Sequence, residues 1–230
     1  MTKLDKNKPL LFLGDTHGNW RNLFPALNRP QFKNSYLVCV GDCGIGFKNK
    51  QEQLEELVEL DAQFKSRGIT FLTIRGNHDD PGYFKKACPV PLLDNFKLVE
   101  DYTIMQYGDK LIQFIGGAIS VDRSGRKEGT SYWKDEGVEF KKNKCKKVDI
   151  LVTHTAPTFC YPSGFNHIVN GWAEVDKTLK KELTKERELL DKICGICLPS
   201  LHLYGHFHLT WTEKLGDCNH VLLNINEIYS

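Results

Sequence analysis

The apolar positions of this chain fall into short runs, and several runs end in a glycine followed by an acid or a histidine. Leu10 to Leu13 is a continuous apolar run, the pattern of a strand buried on both faces. Gly14 closes it, and Asp15-Thr16-His17-Gly18-Asn19 follows. Glycine lets the backbone turn there, and Asn19 can cap the helix predicted over 19–28. A second buried strand is predicted over 36–40, ending in Gly41-Asp42-Cys43-Gly44. Leu54, Leu57, Val58, Leu60 and Phe64 recur near the helical period within 51–67, with Gly68 as the stop. A third strand, 69–74, runs into Arg75-Gly76-Asn77-His78-Asp79. Three successive strands thus deliver polar side chains at their C-terminal mouths, the edge where open α/β sheets bind ligands.

After Pro81 the runs shorten. Residues 98–99, 103–106 and 111–115 read as strands, with Tyr107-Gly108-Asp109-Lys110 as a hairpin turn. Gly116-Gly117-Ala118-Ile119-Ser120-Val121-Asp122-Arg123 follows, with Arg126 close behind. Residues 141–147 form a lysine-dense surface segment, and 148–153 another buried strand that ends in His154. The span 173–193 is charged, with Glu-to-Lys pairs at helical spacing and few apolar residues, and reads as a solvated helix. Residues 201–204 are a strand ending in Gly205-His206-Phe207-His208, and Trp211 and 221–225 read as closing strands. No linker, repeat or low-complexity stretch interrupts the chain, so one domain over 1–230 is expected.

The 230 residues are 40% hydrophobic and 26% charged, the balance of a globular protein with a sizeable core. A net charge of +2 gives no global basic field of the kind nucleic-acid binders often show, though it allows a local basic groove. The lysine-rich start of the chain has no apolar core of signal-peptide length. No run approaches the ~20 apolar residues of a membrane span. The eight cysteines sit mostly inside apolar runs, so reduced thiols and a cytoplasmic setting (a host cytoplasm, if the chain is phage-encoded) are expected. Cys194-Gly-Ile-Cys197 is a lone pair, read as packing rather than as a zinc or redox motif.

The strand mouths carry Asp15 and His17, Asp42, Asn77 and His78, His154, then His206 and His208. The i, i+2 spacing of Asp15 and His17 lets both reach one cation from one turn. Five of the eight histidines follow strands at the same edge. Oxygen and imidazole donors without thiolates suit Mn, Zn, Fe or similar divalent ions. One tetrahedral site cannot use so many donors, whereas two cations sharing a carboxylate could.

The ordered blocks Gly-Asp-Thr-His-Gly, Gly-Asp, Gly-Asn-His-Asp, His and Gly-His-Phe-His, from Gly14 to His208, resemble the calcineurin-like metallophosphoesterase superfamily. The resemblance implies an α/β fold: a four-layer αββα sandwich of two mixed sheets flanked by helices, with a dimetal site at the C-terminal edge of the strands. It implies that Asp15, His17 and His208 hold one cation, that Asn77, His154 and His206 hold the other, and that Asp42 bridges them. Mn2+ is the first expectation, with Zn2+, Fe, Ni2+ or Mg2+ as alternatives. His78 corresponds to the family's catalytic histidine that is not a ligand. The 116–123 loop and the later Tyr132-Trp133 also resemble a stretch of small bacterial and phage members.

The implied reaction is hydrolysis of a phosphate mono- or diester by a metal-bridged hydroxide, with His78 protonating the leaving group. Nucleotide or nucleic-acid-type substrates are favoured, and no membrane or obligate protein partner is expected. Protein Ser/Thr phosphatases of the superfamily follow the bridging Asp with an Asp-Arg pair, where this chain has Cys43-Gly44-Ile45-Gly46. The carboxylate orienting His78 and the phosphate-clamping arginine must then come from elsewhere or be absent. Asp79 and Asp80 are candidates for the first role, and Arg123, Arg126 and Arg75 for the second, since guanidinium grips phosphate bidentately. For Arg75 a structural ion pair is an equal expectation. Asn19 is a further substrate-binding candidate, and Tyr132 or Trp133 could stack on a base. A protein-phosphatase-like monoesterase and a non-catalytic scaffold are the competing readings.

Overall fold

The computed structural model describes residues 1–85 and 93–230. Among them, one sheet of five strands has the order β12-β2-β3-β4-β5, and one of seven has the order β1-β6-β7-β8-β9-β11-β10. The first holds β2 (Leu10–Leu13), β3 (Tyr36–Cys39), β4 (Thr70–Thr73) and β5 (Phe96–Leu98), all parallel, with β12 (Ile228–Tyr229) antiparallel at its edge. The second has a parallel centre of β7 (Lys110–Ile115), β8 (Ile150–Thr153), β9 (Leu201–Tyr204) and β11 (Cys218–Leu222). Around that centre lie β1 (Thr2–Leu4), β6 (Ile104–Tyr107) and β10 (Trp211–Leu215). The helices are α1 (Trp20–Leu27), α2 (Lys50–Lys65), α3 (His167–Val175) and α4 (Leu179–Cys197).

The period-two alternation of strand side chains sorts the core into layers. Leu11, Leu13, Leu37, Cys39 and Phe71 point one way and pack with Trp20, Leu23, Leu57 and Phe64 of α1 and α2. Their sequence neighbours Phe12, Val38, Val40 and Leu72 point the other way, onto Ile112, Phe114, Val152, Leu203 and Val221 of the larger sheet. The far face of that sheet sets Ile115 and Leu151 against Leu190, Ile193 and Cys197 of α4. Helix, sheet, sheet and helix thus stack as four layers. Apolar runs with no polar alternation follow directly, because strands of both sheets are covered on both faces.

Several expectations shift. The predicted helix over 173–193 is two helices, α3 and α4, parted at Asp176, where the backbone is extended. Asp176 accepts from the Thr178 N–H and hydroxyl, the local bonding by which Asp competes with helix. Nor is α4 a solvated helix: Leu179, Leu183, Glu186, Leu190, Ile193, Cys194 and Cys197 form a buried stripe, diluted in sequence by the Lys and Glu of the other face. Cys194 and Cys197 pack in that stripe, and no disulfide joins the described cysteines. Asn19 precedes α1 without a side-chain capping bond. The short edge strands β1 and β12 carry no apolar run long enough to announce them. The hairpin at Tyr107-Gly108-Asp109-Lys110 forms, with Tyr107 opposite Lys110. Among the described residues no helix is long and apolar enough to cross a membrane.

Candidate metal centre

The turns after β2, β3, β4, β8 and β9 converge at one edge. His17 Nε2 lies 2.9 Å from His208 Nε2, 3.8 Å from Asp42 Oδ2 and 4.0 Å from Asp15 Oδ2. His208 Nε2 is 3.4 Å from Asp15 Oδ2. Beside this group, His154 Nε2 stands 3.2 Å from Asp42 Oδ1 and 3.2 Å from Asn77 Oδ1. His206 Nδ1 is 2.8 Å from the same Asn77 oxygen. Asp15, His17, Asp42 and His208 therefore make one group of donors, and Asp42, His154 and His206 a second. Asp42 belongs to both.

Backbone geometry aims these side chains. His17, Asp42, His206 and His208 all adopt the left-handed region, with φ of 46°, 54°, 69° and 53°, an uncommon and costly conformation for residues with a Cβ. In the 206–208 segment this conformation sets the two histidines on a bend beyond the end of β9. The Asp42 carbonyl accepts from both Thr16 N–H and His17 N–H, and its carboxylate accepts from His78 N–H at 2.7 Å. The turns therefore brace one another. Two glycines are forced by contact: a Cβ at Gly76 would lie 2.0 Å from Asp42 Oδ1, and one at Gly205 would lie 2.1 Å from Asp15 Oδ1.

The residues fit divalent cations on three counts. Asp15 Oδ1 is fully buried without a hydrogen-bond partner, a costly state for a carboxylate oxygen. His154 Nδ1 lies 2.8 Å from the Val40 carbonyl, so that nitrogen carries the proton. In the neutral ring Nε2 then turns a bare lone pair toward two oxygens. Ligands bound at ~2.1 Å around one ion stand ~3 Å apart when at right angles, close to the separations seen here. Without cations the cluster compensates by charge. Burial opposes ionisation of His154, but Asp42 and Asp15 overcome it and raise its pKa to about 10. Burial likewise opposes the Asp42 carboxylate, yet His154, His78 and His17 hold it far below the usual range.

The other site candidates separate sharply. His78 stands edge-on to His17, ring centroids 4.8 Å apart, and Arg126 Nη2 lies 2.8 Å from His78 Nε2. Guanidinium can only donate, so Nε2 accepts. Burial, aided by Arg126 and opposed by Asp42, lowers the His78 pKa to about 4. Asp122 lies 2.7 Å from Arg126 Nε. The group facing His78 is therefore an arginine backed by a carboxylate. Asp79 does not orient His78: its oxygens accept from the Cys43, Ile45 and Gly76 N–H groups, tying the Asp42 turn to the Asn77 turn. Asp80 accepts from Gly82 N–H and caps a short turn.

Arg75, 6% exposed, is not free to clamp phosphate. It binds Asp101 at 2.9 Å and the carbonyls of Glu136 and Gly137. Arg123 is likewise committed, to Asp176 and Glu182 at 2.6 Å each and to Thr178, so it joins the loop to the α3–α4 junction. Asn19 is exposed at the start of α1. Trp133 is buried, edge-on to Phe47. The residues that sequence reading missed are Phe47, stacked on His78 with centroids 5.8 Å apart, and Asp122. Phe47 had a signal, an aromatic in a turn that no core strand or helix claims. Asp122 had one too, at i−4 from Arg126.

A profile of the calcineurin-like phosphoesterases matches residues 8–209. No curated protein sequence matches the chain significantly. Among solved structures, the phosphopantetheinyl hydrolase of Mycobacterium tuberculosis is 14% identical, with 94% of this chain and 89% of that one aligned at a TM-score of 0.49. A Streptococcus pneumoniae protein described as a predicted phosphoesterase is 13% identical over 94% of this chain and 71% of that one, at a TM-score of 0.34. These two likenesses carry no weight beyond the profile, which spans every turn of the metal-facing cluster: the chain belongs to the calcineurin-like phosphoesterase family.

Proposed function

We propose that this chain hydrolyses phosphate mono- or diesters with two divalent cations, held by Asp15, His17, Asp42 and His208 on one side and by Asp42, Asn77, His154 and His206 on the other. The observation that carries the reading is the shared Asp42 between two donor groups, with Asp15 Oδ1 buried and unpartnered beside it. When bound, the cations supply charge neutralisation of the phosphoryl group and a water acidic enough to act as the nucleophile near neutral pH. Mn2+ is the cation we expect to support turnover best.

The chain's own residues do the rest. Arg126, held by Asp122, presents its Nη2 beside the cluster and grips a phosphoryl oxygen turned away from the cations. A phosphoryl group that takes this donor removes it from His78 Nε2 and brings negative charge close. Both changes raise the proton affinity of the imidazole, which takes up a proton from solvent as the ester binds and hands it to the leaving alkoxide. Phe47 is 39% exposed and borders a groove of about 320 Å³ with His17, Gly44, Lys48 and His78. An aromatic at that place suits a base on the leaving group, stacking being worth ~1–3 kcal/mol, so nucleotide-type esters are favoured.

The test is a screen of the Mn2+-loaded chain against aryl and alkyl phosphate mono- and diesters, with the His78→Ala variant alongside. Hydrolysis should vanish with chelator and return with Mn2+. His78→Ala should keep both cations and lose ~10²–10⁴-fold on alkyl esters, and less on nitrophenyl esters, whose leaving group needs no proton. A fully loaded chain that hydrolyses none of these esters overturns the reading.

A further inference from the structure

Away from the candidate metal centre, on the helix-facing side of the larger sheet, three strands set polar residues side by side. His202 of β9 is the register partner of His220 on β11, and His220 is the register partner of Glu213 on β10. Cross-strand partners share a face, so these side chains form one row. Cys160, from the loop after β8, closes over it. His202 Nδ1 lies 3.0 Å from His220 Nδ1, and Cys160 Sγ lies 3.1 Å from the same nitrogen. All three residues are buried, at 0%, 3% and 1% exposure.

The protons of this cluster can be counted. Thr153 Oγ1 lies 2.6 Å from the Thr155 carbonyl and donates its one proton there. It must therefore accept from His202 Nε2, 2.8 Å away. That bond places the ring proton on Nε2 and leaves His202 Nδ1 as a bare lone pair, aimed into the cluster and buried. Metal-binding histidines are fixed in just this way, by a partner on the second ring nitrogen. A chain of hydrogen bonds satisfies the trio poorly, because one proton on His220 Nδ1 serves one of its two neighbours at a time.

The loop that carries Cys160 is held in advance. Arg187 of α4 donates to the carbonyls of Cys160 at 2.6 Å, Pro157 at 2.7 Å and Pro162 at 2.7 Å. Glu213 accepts from Tyr161 N–H at 2.8 Å and brings a negative charge next to His220. The donor atoms of Cys160, His202 and His220 all lie within 4.8 Å of one another.

We propose that Cys160, His202 and His220 form a third, structural cation site, distinct from the phosphoesterase centre, with zinc as the fitting ion. One thiolate and two imidazoles fill three of the four tetrahedral positions that Zn2+ takes with sulfur and nitrogen donors. Without a cation, burial holds Cys160 as the thiol, so cation entry releases that proton to solvent as the sulfur–metal bond forms. The site staples the 154–162 loop to β9 and β11. It braces that loop without touching substrate.

Cobalt reads this site apart from the other, because the donors of the phosphoesterase centre are oxygen and nitrogen only. Metal-free full-length chain titrated with Co2+ should develop a near-ultraviolet thiolate-to-cobalt charge-transfer band and bind three equivalents. Cys160→Ser should lose the band and one equivalent, and keep the cobalt of the phosphoesterase centre. His220→Gln should behave in the same way and serves if the serine variant does not fold. Cys145→Ser, a buried cysteine in another cluster, should keep the band. Two equivalents without a band in the wild-type chain, or a band that survives in Cys160→Ser, overturns the proposal. Neither outcome bears on ester hydrolysis, so this site and the phosphoesterase reading stand or fall separately.

Discussion

The turns after β2, β3, β4 and β9 reach the metal-facing cluster through their backbones, whereas the loop from Gly116 to Glu136 reaches it through ion pairs. In the turns, left-handed residues, carbonyl bridges and two contact-forced glycines leave each donor one place to be. In the loop, Arg123 is held by Asp176 and Glu182 and Arg126 by Asp122, while Arg75 of the β4 turn, paired with Asp101, donates to the Glu136 carbonyl. A three-residue turn cannot be moved without moving a ligand. A long loop held by charge can lose one contact and keep its course. Under the proposed function, the first region would hold the cations and the second would receive the ester.

Asp42→Asn tests the first region most severely. The variant keeps the shape of the side chain but removes the one charge common to both donor groups. Turnover should fall to background, and bound metal, read by elemental analysis, should drop by at least one equivalent. Full metal content with normal turnover would mean that Asp42 does not bridge. Gly76→Ala comes next. Its Cβ would sit 2.0 Å from Asp42 Oδ1, 2.6 Å from the Asp42 backbone nitrogen and 2.7 Å from His154 Nε2. Metal affinity should fall about 100-fold, the upper range for disturbing what orients a ligand, while the circular dichroism of the fold is retained. A variant that binds metal like the parent chain would show that the turn is looser than its contacts indicate.

The same contrast explains what could be read from the sequence. Asp15, His17, Asp42, Asn77, His154, His206 and His208 all lie within four residues of the end of a strand, because a buried strand ends where its backbone must turn. Local sequence therefore places them, and the structure brings all of them to one edge. The layers were legible for the same reason: Leu11 and Phe12 alternate between two covered faces. The partners of Arg123 were not legible. Asp176 and Glu182 lie more than fifty residues beyond Arg123, on a helical pair that looked like one solvated helix. Asp79 misled differently: its neighbours in sequence suggested a partner for His78, but its carboxylate is consumed by three backbone N–H groups. Pairings set by charge across a long separation carry no periodicity, and only packing decides them.

Arg126→Ala probes the second region where it meets the first. If the guanidinium grips phosphate, kcat/KM should fall by ~1–3 kcal/mol, the range for a hydrogen bond to a charged group, with metal content unchanged. The pH profile should also respond. Arg126 helps to hold the His78 pKa down at about 4, so its removal should shift the titration of His78 upward in the substrate-free chain, read by imidazole proton resonances. A shift without a kinetic loss would make Arg126 a tuner of His78 and not a clamp.

Arg123→Ala should have the smallest effect on catalysis, and it separates the two arginines that sequence places three residues apart. The Arg123 guanidinium is saturated by Asp176, Glu182 and Thr178, none of which faces the cation donors. Its loss leaves two carboxylates close together at the α3–α4 junction, one of them half-exposed, so water can screen much of the repulsion. The expected cost is about 1 kcal/mol of stability, at the upper end for an exposed ion pair, seen as a lower urea midpoint. Most of that cost should disappear in high salt, since the remaining like charges are then screened. On the best ester, kcat/KM should stay within a factor of about 2, because about 0.4 kcal/mol is the most that a relaxed loop anchor would pass to Arg126 three residues away. A tenfold loss with unchanged stability would instead put Arg123 on the substrate, and the contrast between a backbone-built metal edge and a charge-held loop would then need a second clamp.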